Sequence, residues 1–148
     1  MRVEKKAAQM IVRAETDAQI LATFEVMRQL RPHVLEAAYL PVVRHMEAAE
    51  GYRLAAVVED GTVRAVAGYR FMEMLYCGRI LSVDDLITDE HARSGGHGKT
   101  LLDWLKAEAR AHGCAEIHLD SGMQRERAHQ FYLREGMSIL GYHFREKL

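Results

Sequence analysis

The chain has 148 residues, 49% of them apolar, which suits one folded domain with a single core and argues against disorder. Twenty Lys and Arg stand against 21 Asp and Glu, so the net charge of −1 lacks the basic excess of a general nucleic-acid binder. No apolar run reaches membrane-spanning length and no signal-peptide pattern opens the sequence, so a cytoplasmic protein without membrane or nucleic-acid partners is expected.

In chain order, "AAQMIVRAET" (7–16) alternates loosely and predicts a first strand. Asp17 is a candidate N-cap for a helix through about Leu30, with Ile20, Leu21, Phe24, Met27 and Leu30 at helical spacing. A second helix is expected over 34–49, interrupted or kinked at Pro41. Residues 52–75 read as two β-branched runs joined by Asp60-Gly61, a strong hairpin signal. "RILSVDDLIT" (79–88) is a third strand after a turn at Cys77-Gly78. A glycine loop follows, then a helix to about His112 with Leu101, Leu102, Leu105 and Ala109 on one face and Gly113 as its stop. "AEIHLDS" (115–121) predicts a strand, 125–135 a helix stopped by Gly136, and "SILGYHF" (138–144) a last strand. The expected fold is α/β (α+β), one domain over 1–148, with a mixed, mostly antiparallel sheet and flanking helices.

The loop "RSGGHGKTLLDWL" (93–105) carries the functional signal. Its Gly98-Lys99-Thr100 ending matches a nucleotide-triphosphate loop, but the first glycine of that motif would fall at residue 93, which is Arg93. Antiparallel strands also precede it, where a triphosphate loop opens a parallel sheet. Glycines at 95, 96 and 98 between a strand and a helix instead turn successive backbone N–H groups into one concavity, beside the positive end of the helix dipole. Such a nest suits a pyrophosphate, with Arg93 and Lys99 as charged partners.

From Ile80 to Met137 the sequence resembles the GNAT superfamily of acyl-CoA-dependent N-acyltransferases. The strand "SVDDLIT", the Arg93-x-x-Gly96-x-Gly98 loop and its helix look like that family's acetyl-CoA motif. "AHQFYLREGM" (128–137) looks like its second signature, with Ala128, Tyr132 and Gly136 on the expected positions. The resemblance implies transfer of acetyl from acetyl-CoA directly to an amine of a small molecule or peptide, without a metal. The alternative is a CoA-binding sensor without useful chemistry.

Carried onto this chain, the resemblance places the pyrophosphate on Ser94, Gly95, Gly96, His97, Gly98, Lys99 and Thr100, with Arg93 beside them. The pantetheine arm would run along Leu86, Ile87 and Thr88, between strands splayed apart toward Thr88 and Ser121, and a backbone N–H near Leu86 would polarise the acetyl carbonyl. Tyr132 is implied as the general acid for the departing thiolate, with Phe131 and Ala128 shaping the cofactor wall. Arg125 stands where the family commonly has Asn, so that contact is expected to become a phosphate contact or to be lost.

The attacking amine must also lose a proton. Asp84 and Asp85 sit in an otherwise apolar strand, where carboxylates are costly unless used or paired. Strict alternation would put Ser82, Asp84, Leu86 and Thr88 on one face and Val83, Asp85 and Ile87 on the other, so only one carboxylate would reach the cleft. Asp84 is preferred as base, then Asp85, with a water relay or another group as the alternative and His118 and His129 as weaker candidates. Arg28, Arg31, His33, Tyr39 and Arg44 are polar candidates for the acceptor side. Cys77 and Cys114 have no paired spacing and no histidine near in sequence, so no metal is expected. The last strand would leave a bare sheet edge, and a homodimer covering it is expected.

Overall fold

The computed structural model describes residues 9–148, Ser94 through its backbone alone, so residues 7 and 8 of the expected first strand lie outside the described residues. The chain packs as two compact units, one running to His118 and a second over Leu119–Leu148. The first contains β1 (Gln9–Arg13), α1 (Asp17–Ala22), α2 (Phe24–Leu30), α3 (Glu36–Glu50), β2 (Arg53–Glu59), β3 (Thr62–Met74), β4 (Gly78–Thr88), a 3-10 segment (Glu90–Gly95) and α4 (His97–Ala111). Strand β5 (Glu116–Leu119) ends at the boundary, and α5 (Glu126–Arg134) forms the second unit.

Among the described residues the sheet has five strands in sequence order, β1-β2-β3-β4-β5. The first four pair antiparallel. The β2–β3 turn is built on Asp60 (φ 49) and Gly61 (φ 76), the doubly left-handed pair that a two-residue hairpin needs. Strand β5 begins beside the start of β4, where the Ala115 N–H donates to the Arg79 carbonyl at 2.9 Å. Being four residues long against eleven, β5 is too short to accompany β4 to its end.

Each face of the sheet carries its own helices. Ile20, Phe24, Val26, Met27, Tyr39 and Val43 of α1–α3 form one core with Leu54, Ala56, Val66 and Ile87. On the other face, α4 turns Leu101, Leu102, Leu105 and Ala109 inward, all buried, as its spacing predicts. Trp104 meets Tyr69 edge-on there, ring centroids 6.0 Å apart.

Three local expectations are corrected. The helix expected over 17–30 breaks at Thr23, whose hydroxyl donates to the Ile20 carbonyl (2.6 Å) and pairs with Tyr39 Oη (2.7 Å). Helix α3 is not interrupted at Pro41, interruption being the first of the two outcomes expected there. It begins at Glu36, so the N–H that proline lacks belongs to only the second turn. The strand expected over 138–144 does not form: no ladder involves these residues, and Ile139, Leu140, Tyr142 and Phe144 are exposed. A strand is a paired state, and β-rich composition alone does not supply the partner.

Candidate active site

The two aspartates of β4 owe their placement to a bulge. Gly68 pairs with Asp85 and Tyr69 with Val83, leaving Asp84 as the extra residue. Alternation is reset there, so Val83 and Asp85 lie on opposite faces. Asp85 joins Gly68 on the face of α1–α3, and the Asp84 carboxylate meets Arg70 of that same face. The strict alternation expected along this strand is therefore broken at Asp84. An extra residue in a strand leaves no mark in a hydrophobic pattern that is already broken by two adjacent charges.

The two carboxylates differ in their partners. Asp85 is held at both oxygens: Arg31 Nε donates to Oδ1 at 2.8 Å and the Tyr52 hydroxyl donates to Oδ2 at 2.7 Å. Burial, reinforced by the neighbouring Asp85 charge, pushes the Tyr52 phenol well above its ordinary range. Gly68 makes room for this bond, because a Cβ at that position would coincide with the Tyr52 hydroxyl. Sequence reasoning passed over Gly68, Tyr52 and Arg70. The glycine in the middle of an apolar strand was the available signal, since it marks a bulge or a close approach.

Asp84 is engaged through Oδ2, by Arg70 Nε at 2.7 Å and Arg70 Nη2 at 2.5 Å. Arg70 is shared with Glu50 and lies over the Tyr52 ring, 5.7 Å from its centroid. Partial burial raises the Asp84 carboxyl above the usual aspartate range, with the Arg70 guanidinium opposing that shift. Asp84 is thus a stronger base than a surface aspartate, while Asp85 is a structural anchor.

Beyond the bulge, Leu86 and Thr88 oppose Ala67 and Ala65, while Ile87 opposes Val66 and is packed in the core of α1–α3. Ile87 therefore offers only backbone to a ligand. The chain then enters the 3-10 segment, and Asp89 Oδ1 accepts from the His91 N–H at 3.2 Å. Gly96, at φ 72, turns the chain into α4 from the left-handed region. Helix α4 has no side-chain cap and no acidic residue in its first turn. The amides of His97 and Gly98, in the first turn, therefore have no helical acceptor and no side-chain cap.

The loop residues do not share one role. His97 is buried and its Nδ1 lies 2.7 Å from Gln9 Nε2 of β1, so its imidazole belongs to the core. Gly95 is tied to that packing, because a Cβ there would run into the His97 ring. Lys99 pairs with Asp103 at 3.0 Å, and Thr100 Oγ1 donates to the Gly96 carbonyl at 3.1 Å. Arg93 is exposed.

In the second unit, α5 ends at Gly136 (φ 91), with the Met137 N–H donating to the Tyr132 carbonyl at 3.0 Å. Tyr132 is half-buried and packs on Phe131, ring centroids 5.4 Å apart. Burial raises its phenol above the ordinary value, with the Arg125 charge opposing, so it carries its proton at neutral pH. Arg125 is the N-cap residue of α5, Ala128 lies on the same helix, and Ser121 presents a buried Oγ without a hydrogen-bond partner.

The weaker candidates are accounted for by local bonds. His118 Nε2 lies 2.6 Å from Glu116 Oε2, and His129 Nε2 lies 2.7 Å from the Gly122 carbonyl. Arg44 is paired with Asp17 and Glu47, Arg28 with Glu25, and Tyr39 is buried against Thr23. His33 is exposed between α2 and α3.

Among the described residues, no helix is long and apolar enough to cross a membrane. The sequence matches the acetyltransferase (GNAT) family over residues 14–137, a span that reaches into both units. An uncharacterised N-acetyltransferase of Bacillus subtilis, YhdJ, is 34% identical over 125 residues, covering 84% of this chain and 88% of its own. An aminoglycoside N-acetyltransferase, AAC(6')-Iy, solved in complex with CoA, superposes with a TM-score of 0.86 at 13% identity, over 99% of each chain. A Bacillus halodurans protein described as a transcriptional regulator does so with a TM-score of 0.84 at 18% identity, over 95% of this chain and all of its own. By its fold and by these matches, the chain belongs to the acetyltransferase (GNAT) family.

Proposed function

We propose that this acetyltransferase moves the acetyl group of acetyl-CoA directly to the amine of a small molecule or peptide, within one GNAT domain of the cytoplasm. One observation carries the reading: an uncapped α4 N-terminus stands directly after a β4 half, Asp84–Thr88, that β5 is too short to accompany. The first feature suits a pyrophosphate, through backbone amides and the helix dipole. The second offers backbone donors and acceptors to the amides of a pantetheine arm, as an added strand. The CoA complex of AAC(6')-Iy supports the donor, and that enzyme's description as an aminoglycoside N-acetyltransferase supports an amine acceptor.

In the proposed reaction the amine nitrogen attacks the acetyl carbonyl carbon, whose oxygen is stabilised by a backbone N–H near Leu86. The C–S bond then breaks and the CoA sulfur takes the proton of the Tyr132 phenol. Asp84 receives the proton lost by the amine, directly or through water, and its raised carboxyl range suits that task. The exposed apolar residues 139–144 take their cover from a second copy, making the working form a homodimer.

Two measurements test this. Acetyl-CoA should raise the melting temperature and Mg-ATP should not; the reverse result would reassign the loop to nucleotide hydrolysis. Thiol release from acetyl-CoA is then followed across amines, polyamines, amino acids and peptide N-termini. Tight binding without turnover on any of them would mark a CoA sensor. Light scattering at micromolar concentration checks the dimer, and a monomer mass would refute it.

A further inference from the structure

Far from the glycine loop, the fold gathers three groups that no acetyl transfer requires. Cys77 sits in the turn that precedes β4, while Glu116 and His118 stand on β5. Their donor atoms (the Cys77 sulfur, a Glu116 carboxylate oxygen and a His118 ring nitrogen) all lie within 4.8 Å of one another. In sequence the cysteine and the histidine are far apart, so spacing could not announce them. We propose that Cys77, Glu116 and His118 form a three-ligand zinc site joining the β3–β4 turn to β5.

The backbone brings them together for reasons independent of any ligand. Glu116 and His118 are two apart on a strand and so project from one face. The turn is positioned by Gly78 at φ 81, and the start of β4 is tied to β5 by the Ala115–Arg79 backbone bond. Arg79 Nε adds a bond to the His112 carbonyl at 3.0 Å, holding the end of the α4 crossover to the same strand. The three donors thus come from two adjacent segments whose main chains are already fixed.

The donor set selects the ion. Thiolate, imidazole and carboxylate together suit Zn²⁺, whose bonds of about 2.0–2.3 Å make donor–donor edges of roughly 3.3–3.6 Å in a tetrahedron. Glu116 Oε2 and His118 Nε2 stand 2.6 Å apart and no pair of donors is farther apart than 4.8 Å, so closing on an ion asks for side-chain shifts of roughly 1 Å. The geometry also separates this reading from a nucleophile relay. A relay would place the imidazole between thiol and carboxylate, which would hold those two groups farther apart than they are. Three protein ligands leave a fourth position for water, consistent with a half-open setting in which the His118 side chain is 23% and that of Glu116 48% exposed.

The site is remote from the proposed chemistry. Cys77 precedes the first residue of β4 and the glycine loop follows its last, so the length of an eleven-residue strand, roughly 30–35 Å, separates them. Bound zinc would act on β5, the short edge strand, by fastening it to the neighbouring turn.

Reduced, chelator-treated full-length protein is titrated with zinc chloride against a chromogenic chelator, and separately with Co²⁺, whose thiolate charge-transfer band reports sulfur ligation. One zinc per chain and a thiolate–cobalt band are expected for the wild type and for Cys114→Ser. Cys77→Ser should lose the band, and Cys77→Ser and His118→Asn should each weaken zinc binding by roughly tenfold or more. Zinc should raise the melting temperature of the wild type and not of Cys77→Ser. All three side chains are at least partly exposed, so the variants should keep the metal-free melting temperature. Absence of stoichiometric zinc, a band that survives in Cys77→Ser, or equal zinc affinity in wild type and variants would overturn the site.

Discussion

At the bulge of β4, Asp84 and Asp85 are met by Arg70, Arg31 and Tyr52, with Gly68 cleared of side chain to let the tyrosine through. After the last residue of the same strand, the first-turn amides of α4 meet no cap and no acidic side chain. The first region pairs its polar groups internally, Asp85 through both oxygens and Asp84 through Oδ2; the start of α4 has no side-chain cap. The contrast teaches that polar residues in an apolar setting mark a function only after their internal partners have been subtracted. Asp85, His97, Arg44 and Tyr39 fail that subtraction. The start of α4, without a side-chain cap, and the Tyr132 phenol remain as the groups proposed to act.

The largest test falls on the open class. Tyr132→Phe removes only a hydroxyl, and kcat should fall by ~10²–10⁴ with KM for acetyl-CoA little changed, read by steady-state thiol release. An unchanged kcat would remove Tyr132 from the chemistry. On the satisfied side, Gly68→Ala should cost about 3 kcal/mol in denaturant unfolding, because the new methyl occupies the Tyr52 hydroxyl position and breaks its bond to Asp85. A smaller loss would mean that the Tyr52–Asp85 anchor yields easily and that the comparison is overdrawn.

Gly95→Ala tests the boundary between the regions. Its methyl meets the His97 ring rather than the ligand nest, so about 1–2 kcal/mol of stability should be lost along with the His97–Gln9 contact. If acetyl-CoA binding alone weakens and stability holds, Gly95 belongs to the open class. Asp84 should reveal itself by pH. Its carboxyl is raised in the folded protein, so the folded state binds that proton more tightly than the unfolded chain. Stability should therefore decline as pH rises from the ordinary aspartate range through the folded value, and Asp84→Asn should flatten that decline. The acid limb of kcat/KM should lie above the usual aspartate range in the wild type and vanish in the variant. The smallest effect is expected for Lys99→Ala, a few-fold rise in KM for acetyl-CoA, since the exposed ammonium already shares its charge with Asp103.

Much of this was legible in the residues. The Asp60-Gly61 hairpin, the buried stripe of α4 and the stops at Gly113 and Gly136 follow from short-range rules, and each is found. The two spaced motifs carried the family, because a glycine loop and a tyrosine helix at fixed separation restrict one another. The break at Thr23, the bulge at Asp84 and the missing terminal ladder were not legible. Each depends on a partner distant in sequence: Tyr39 for Thr23, the β3 register for Asp84, and a neighbouring strand for residues 138–144.

By itself, then, the sequence determined the hairpin, the helix stops, the buried stripe of α4 and the family, because turn dihedrals and apolar periodicity are properties of neighbouring residues. Only the tertiary structure decided which polar groups are already paired. It alone assigned Asp85 to Arg31 and Tyr52, turned His97 into the core, and brought Cys77 beside His118. A hydrogen bond or ion pair depends on distances of a few ångströms across strands, and no local pattern encodes those.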